Sequence, residues 1–201
     1  LAAWFTAGGA IIAATVSALV SYLVAYRSVY INAVTAERSK WIEALRSTIS
    51  KYSGAAGRVS ARRALGAYAK DQDWASDTEH LQTLLSDLTL RLNPNEAEAQ
   101  NLLRSAMKLD QAARLHSPAA VILANEIMIR HAQWAAKVEW DRVKEEASGV
   151  MRAPTFAWRK WRRGRAYAKF LKGAGSLDRL DAIGSGVSDA DLTLLRSEMD
   201  T

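Results

Sequence analysis

The chain has 201 residues, with 27 basic and 21 acidic side chains, a formal net charge of +6 and no cysteine. That length leaves room for one soluble domain beside a membrane helix. The lack of cysteine excludes a disulfide scaffold and a thiolate metal centre and suits a reducing compartment.

Residues 1–26 carry no charged side chain. A helix rises 1.5 Å per residue, so roughly 20 apolar residues cross a ~30 Å hydrocarbon layer. Trp4 and Phe5 lie near one end of this run, and Tyr22, Tyr26 and Tyr30 near the other, where the two interfaces of a bilayer would fall. A soluble core helix is usually shorter and interrupted by polar positions, and a cleaved signal peptide begins with positive charge. The sequence therefore predicts a permanent transmembrane helix over residues 1–27. Arg27, Arg38, Lys40 and Arg46 follow it and no basic residue precedes it. The positive-inside rule then puts the N-terminus outside and the rest in the cytoplasm.

Small residues recur along this segment at Gly9, Ala13, Ser17, Ser21 and Ala25. Such a face lets transmembrane backbones approach closely, and a chain with one span can offer it only to another chain. A homo-oligomer is the expectation. In a ring of more than two copies, Thr6, Ser17 and Ser21 would turn toward a polar axis and line a pore. The alternative, that Ala and Gly are simply common in membrane spans, stays open.

Sustained period-two alternation is absent, so the predicted class is all-α. The membrane helix continues into a cytoplasmic helical bundle over 28–150, followed by a basic amphipathic helix over 151–175 and an acidic tail over 176–201. No Gly or Pro interrupts the chain between the span and Gly54, so the first helix is expected to reach about Ser53. Val34, Trp41, Leu45, Ile49 and Tyr52 form its apolar stripe. Gly54, Gly57 and Gly66 leave 54–73 ambiguous. Ser76 or Asp77 would cap the next helix, with Leu81, Leu84, Leu85, Leu88 and Leu92 as its buried face. Asn93-Pro94 ends it. Asn95 would cap a third helix running through Leu102, Leu103, Met107 and Leu109 to about Leu115. Ser117-Pro118 opens the longest cytoplasmic helix, which ends at Gly149. Its polar stripe is thin (Glu126, Arg130, Gln133, Lys137, Lys144), which predicts a central helix. Met128 and Trp140 would lie inside, Arg130 and Lys137 outside.

Three segments carry a family likeness. The run Arg38-Ser39-Lys40-Trp41-Ile42-Glu43-Ala44-Leu45-Arg46 resembles the RxxWIxxLR opening of an uncharacterised group of bacterial single-span, membrane-anchored helical proteins. Leu90-Arg91-Leu92-Asn93-Pro94-Asn95-Glu96 is similar to the group's LxLNPxE helix break, and Val138-Glu139-Trp140-Asp141-Arg142-Val143-Lys144 resembles its EWxRVK helix end. The likeness covers about residues 5–147. It implies one span at a bacterial inner membrane with a cytoplasmic helical domain, and it brings no activity. The basic C-terminal stretch departs from the group's usual ending.

That stretch concentrates the charge: between Glu146 and Asp178 lie eight basic residues and no acid, whereas six acids face two arginines from Asp178 onward. On a helical wheel Ala157, Trp161, Gly164, Ala168 and Leu171 share a face, which Phe156, Trp158, Tyr167 and Phe170 broaden. Arg159, Arg162, Arg165, Lys169 and Lys172 crowd the opposite side, and Lys160 and Arg163 complete the basic set. An aromatic face backed by cations is the pattern of a helix lying on an anionic membrane, so anionic lipid is the expected partner. Two alternatives remain: a nucleic-acid surface with aromatic rings stacked on bases, and a helix packed on the bundle with solvated charges. Where no membrane competes, the acids after Asp178 would fold back on the basic helix.

Catalytic patterns are poor. HExxH, a Glu-x-x-His pair and GxxxxGK are all missing, and the three histidines stand far apart. Glu139, Asp141 and Lys144 read as a solvated or ion-paired turn. No catalytic residue, metal or cofactor is expected. The chain reads as a membrane-anchored, self-associating protein with a structural or channel-like, membrane-perturbing role. The alternative is a membrane-tethered protein that recruits nucleic acid or another polyanion.

Overall fold

The computed structural model describes residues 2–66, 71–115, 117–147, 153–173, 176–183 and 187–197, with the side chains at 2–12, 71–72, 146, 153–156 and 159–160 left out. Within them lie α1 (Ala2–Ala64), α2 (Asp71–Arg91), α3 (Ala97–Arg114), α4 (Pro118–Ala147), α5 (Ala153–Lys172), α6 (Asp178–Asp181) and α7 (Asp189–Ser197). No strand occurs among the described residues, in keeping with the all-α expectation.

α1 is one continuous helix of 63 residues, and it passes the expected stop near Ser53. Each glycine in a helix interior costs about 1 kcal/mol relative to alanine. Gly54 and Gly57 are tolerated because Tyr52, Ala55, Ala56, Val59 and Ser60 around them are buried against the rest of the protein. The helix ends at Gly66, whose φ of +63° suits a residue without Cβ. There the amide of Leu65 reaches Ala61 O and that of Gly66 reaches Arg63 O, both at 3.1 Å. α2 then begins at Asp71, ahead of the expected caps Ser76 and Asp77.

Two regimes divide α1. Every residue from 13 to 30 is exposed, large apolar ones such as Leu19, Val20, Leu23 and Val29 included. This is the one helix of the described residues long and apolar enough to cross a membrane. From Ile42 onward a single side is buried, beginning with Ile42, Leu45 and Ile49.

The core gathers Leu45, Ile49 and Tyr52 from α1, Leu81 and Leu88 from α2, Leu102 and Leu109 from α3, and Leu123, Ile127 and Met128 from α4. α4 packs against α3, α1 and α7, which gives it the central place its thin polar stripe implied. Its start is capped as expected, with Ser117 Oγ accepting from the Ala120 amide at 3.0 Å. Asn95 does not cap α3: the N-cap position is Glu96, and the Asn93 side chain instead accepts from the Asn95 amide at 3.1 Å.

Two side chains of α4 differ from expectation. Met128 is fully buried, but Trp140 is 45% exposed. No described element covers that side of α4, so Trp140 lines an open groove of about 970 Å³ between α1 and α4 with Ile42, Ile49 and Ile129. Arg130, expected outside, is half-buried beside Glu126 at 2.9 Å.

The acidic C-terminal segment is structural. Leu180, Ile183 and Leu192 all enter the common core. Among the described residues its acids pair elsewhere than on α5, against the expectation. Asp181 holds Arg104 at 3.1 Å and Lys108 at 3.8 Å on α3, and Asp189 accepts from Ser117 at the start of α4. Arg196 of α7 reaches Glu126 at 2.8 Å, and its bond, with that of Arg130, holds the Glu126 carboxyl below the usual carboxylate range. Hydrophobic anchors spaced among acids thus clamp the far end of α4.

Candidate functional site

The segments 38–46, 90–96 and 138–144 are far apart in sequence and meet in space. Arg38 of α1 pairs with Glu139 of α4 at 3.0 Å, Glu139 with Arg142 at 3.0 Å, and Arg142 with Glu96 at the head of α3 at 3.0 Å. Beside this chain of alternating charge, the Trp41 indole N–H donates to Arg91 O at 2.9 Å. Asp87 accepts from Thr48 at 2.7 Å and from Arg91 at 2.9 Å. The bonds from Arg91 and then Thr48 hold its carboxyl below the ordinary value. Arg38, Trp41, Arg91, Glu96, Glu139 and Arg142 surround a cleft of about 340 Å³. Glu96, Glu139 and Asp87 each already accept from a guanidinium, so the arrangement fastens α1, α3 and α4 together where α1 leaves the packed core. Glu139 is ion-paired, one of the two states the sequence suggested for that turn; its partner Arg38 on α1, and Glu96 at the head of α3 as the further partner of Arg142, have no local signature there.

Removing the shared anion tests this fastener. Glu139→Ala leaves Arg38 and Arg142 facing each other without it and should cost about 1–3 kcal/mol, the usual range for bonds to charged groups. Chemical unfolding of the detergent-solubilised chain measures the loss, and wild-type stability would mean that the pairs are solvated ornaments.

The second feature is α5, which has two unlike sides. Tyr167 is buried, and its oxygen accepts from Asn101 of α3 at 2.8 Å. Burial raises the Tyr167 phenol above its ordinary value, partly offset by that bond. Trp134 of α4 stacks on Phe170 with centroids 5.0 Å apart and tilts against Tyr167 at 5.5 Å. Phe170 also meets buried His131 edge-on at 5.1 Å. Tyr167 and Phe170 therefore do not broaden an outward apolar face as the helical wheel suggested. Trp134 and His131 of α4, with Asn101 of α3, take them in.

The rest of the basic set divides. Arg163 is half-buried and pairs with Glu145. Arg162, Arg165, Lys169 and Lys172 are exposed, as are Trp158 and Trp161. Arg162 lies over the Trp158 ring at 5.4 Å and Arg165 over Trp161 at 4.8 Å. Arg159 and Lys160 belong to α5, but their side chains lie outside those described. The outward side of α5 is thus a row of aromatic rings each topped by a guanidinium, suited to phosphate-rich surfaces.

On α1, Ala13, Ser17, Ser21 and Ala25 are all exposed, whereas Thr6 and Gly9 fall where only the backbone is described. Among the described residues no three His, Asp or Glu come together as metal ligands. No known protein family, curated protein or solved structure matches the chain.

Proposed function

We propose that this protein is a membrane-anchored, self-associating helical module, single-pass in a bacterial inner membrane with its helical domain in the cytoplasm. Its role on this reading is structural or channel-like, acting on the membrane itself. The observation that carries it is the α1 surface from 13 to 30: wholly exposed, rich in large apolar side chains, and continuous with a packed domain. Exposed apolar surface of that extent is stable in lipid and not in water. Arg27 and the cations after it support the cytoplasmic side for the domain.

The level of α5 supports contact with the membrane surface. The cleft at Arg38 takes α4 from Ala135 to Arg142, and the groove that continues along α1 to Ser53 takes α4 back to Ile129, so α4 runs antiparallel to α1. Glu145 then lies about 9 Å nearer the membrane than Glu139, near the level of Asn32. Arg163 pairs with Glu145, while Phe170 sits on His131, so α5 runs back away from the membrane along α4. Trp158, five residues before Arg163, lies up to about 7.5 Å nearer still, toward the end of α1 where the apolar run stops. Indole and guanidinium at that depth match the composition of a membrane interface.

Particle mass in detergent tests self-association. The wild-type chain should run as a multiple of its 22.0 kDa mass. Ala13→Leu and Ser17→Leu keep the segment apolar while wedging backbones apart, and each should weaken the assembly by about 1 kcal/mol or more. A monomeric wild type would end both the self-association and the pore. The row of Trp158, Arg162, Trp161 and Arg165 also favours a second reading, recruitment of nucleic acid or another polyanion. Retardation of RNA by the full chain with a steep salt dependence would move that reading ahead.

A further inference from the structure

We propose that the groove between α4 and α5 binds the headgroup of an anionic phospholipid, taking its phosphate between Lys144 and Arg162. The proposal rests on the membrane reading above, and adds to it a discrete site where that reading has only a charged surface. The groove encloses about 550 Å³, within the range of about 300–1,000 Å³ usual for small-ligand sites.

Its lining is unlike a solvated helix face. Lys137, Lys144 and Arg162 all border it, and none has a carboxylate partner among the described residues. Each is instead held against an indole: Lys137 over Trp134 at 5.2 Å, Lys144 over Trp140 at 5.8 Å, and Arg162 over Trp158 at 5.4 Å. The fourth cation, Arg163, is neutralised by Glu145. Cations fixed by rings rather than by acids keep their charge available for an incoming anion.

Two further groups sharpen the ligand. The Trp134 indole nitrogen is buried without an acceptor among the described residues, and Trp134 lines the groove. A buried N–H without a partner is costly, and a phosphate or ester oxygen would satisfy it. Asp141 also borders the groove and has no ion pair among the described residues. A carboxylate there repels a bare anion but accepts from a hydroxyl, which favours a hydroxylated headgroup such as phosphoglycerol over inorganic phosphate. Apolar Val138, Ala166 and the Trp158 ring leave a dry path for the glycerol and the start of the acyl chains. By the same reckoning Lys144, Glu145 and Trp158 form the end of the groove that faces the membrane, so a lipid headgroup enters from that side.

The test uses the full chain in non-ionic detergent with short-chain phosphatidylglycerol, short-chain phosphatidylcholine and inorganic phosphate, bound copies being counted by native mass spectrometry and affinities taken from titration calorimetry. One saturable phosphatidylglycerol per chain is expected, with the other two probes bound at least about tenfold more weakly. Lys144→Gln with Arg162→Gln should reduce that affinity by about tenfold or more, given the usual contribution of each cation near anionic lipid. Lys40→Gln with Lys51→Gln removes the same charge elsewhere on the surface and should change it less than about twofold at moderate salt, by screening. Trp134→Phe keeps a smaller aromatic ring against Phe170 and loses the N–H, and should bind severalfold more weakly. Equal losses for both charge pairs would overturn the site and leave the membrane reading standing. Phosphate bound as tightly as lipid, and lost with Lys144 and Arg162, would overturn a lipid as the occupant. A chain recovered in water without detergent would overturn the anchor itself.

Discussion

Val16→Arg combined with Leu19→Arg should release the protein from membranes. Both residues lie in the fully exposed part of α1, at 55% and 58% exposure, so neither change disturbs the packed core. Each arginine near the middle of a membrane helix costs about 2.5–3.5 kcal/mol on insertion scales, against the few tenths that valine or leucine contributes favourably. Two together, at about 5–7 kcal/mol, exceed what the remaining apolar residues of the run supply. Flotation with liposomes on a density gradient separates membrane-bound chain from aggregate. The wild type should float and the double variant should remain at the bottom or in the supernatant. Ala33→Arg with Ala36→Arg adds equal charge just beyond Arg27 and should float like the wild type, or better on anionic liposomes. Flotation of the Val16, Leu19 variant would mean that protein, not lipid, covers this surface.

How far the sequence could be read depended on the range of each interaction. The breaks at Asn93-Pro94 and Ser117-Pro118 are local, set by the steric demand of proline on its neighbour and by a serine cap, and both stand in the structure. The leucine face of α2 is also local, and Leu81, Leu88 and Leu92 are buried as their spacing implied. The glycines of α1 misled because propensity is a weak local preference, and burial of Tyr52, Ala56 and Val59 overrides it. The C-terminal segment was read for its acids, yet Leu180 with Ile183, and Leu192 with Leu195, carry the helical spacing that could have marked it as packed.

The candidate sites were harder to see. The Arg38–Glu139–Arg142–Glu96 chain joins three helices and has no local signature. α5 carries aromatics on almost every side, so periodicity alone cannot say that Tyr167 and Phe170 turn inward while Trp158 and Trp161 turn out. That choice depends on Trp134, His131 and Asn101, which stand on other helices.

The same long-range dependence makes Tyr52 a sensitive position of the packed domain. Its ring is fully buried, and its hydroxyl donates to Ala106 O on α3 at 2.8 Å. Tyr52→Ala empties an aromatic-sized volume where α1 meets α3 and should cost about 3–5 kcal/mol, as large-to-small changes at buried aromatics do. Tyr52→Phe keeps the ring. It should cost only about 0.5–1.5 kcal/mol, because the Ala106 carbonyl lies within a helix and keeps its backbone partner. The pair also has a pH signature. Burial first, and then the nearby Asp110 charge, raise the Tyr52 phenol well above its ordinary value of 10.0. The folded state therefore holds this proton more tightly than the unfolded state does. Its contribution is complete below the unfolded value and is lost as pH rises through the folded one. Above pH 10 the unfolded chain gains by ionising. By pH 11 this should draw about 1.4 kcal/mol from the wild type that Tyr52→Phe does not lose. Urea unfolding of the detergent-solubilised chain at pH 8 and at pH 11 reads the difference between the two proteins, in which the other tyrosines and the lysines cancel. A gap that does not move between the two pH values would place the phenol in water, and with it the end of α1 outside the core.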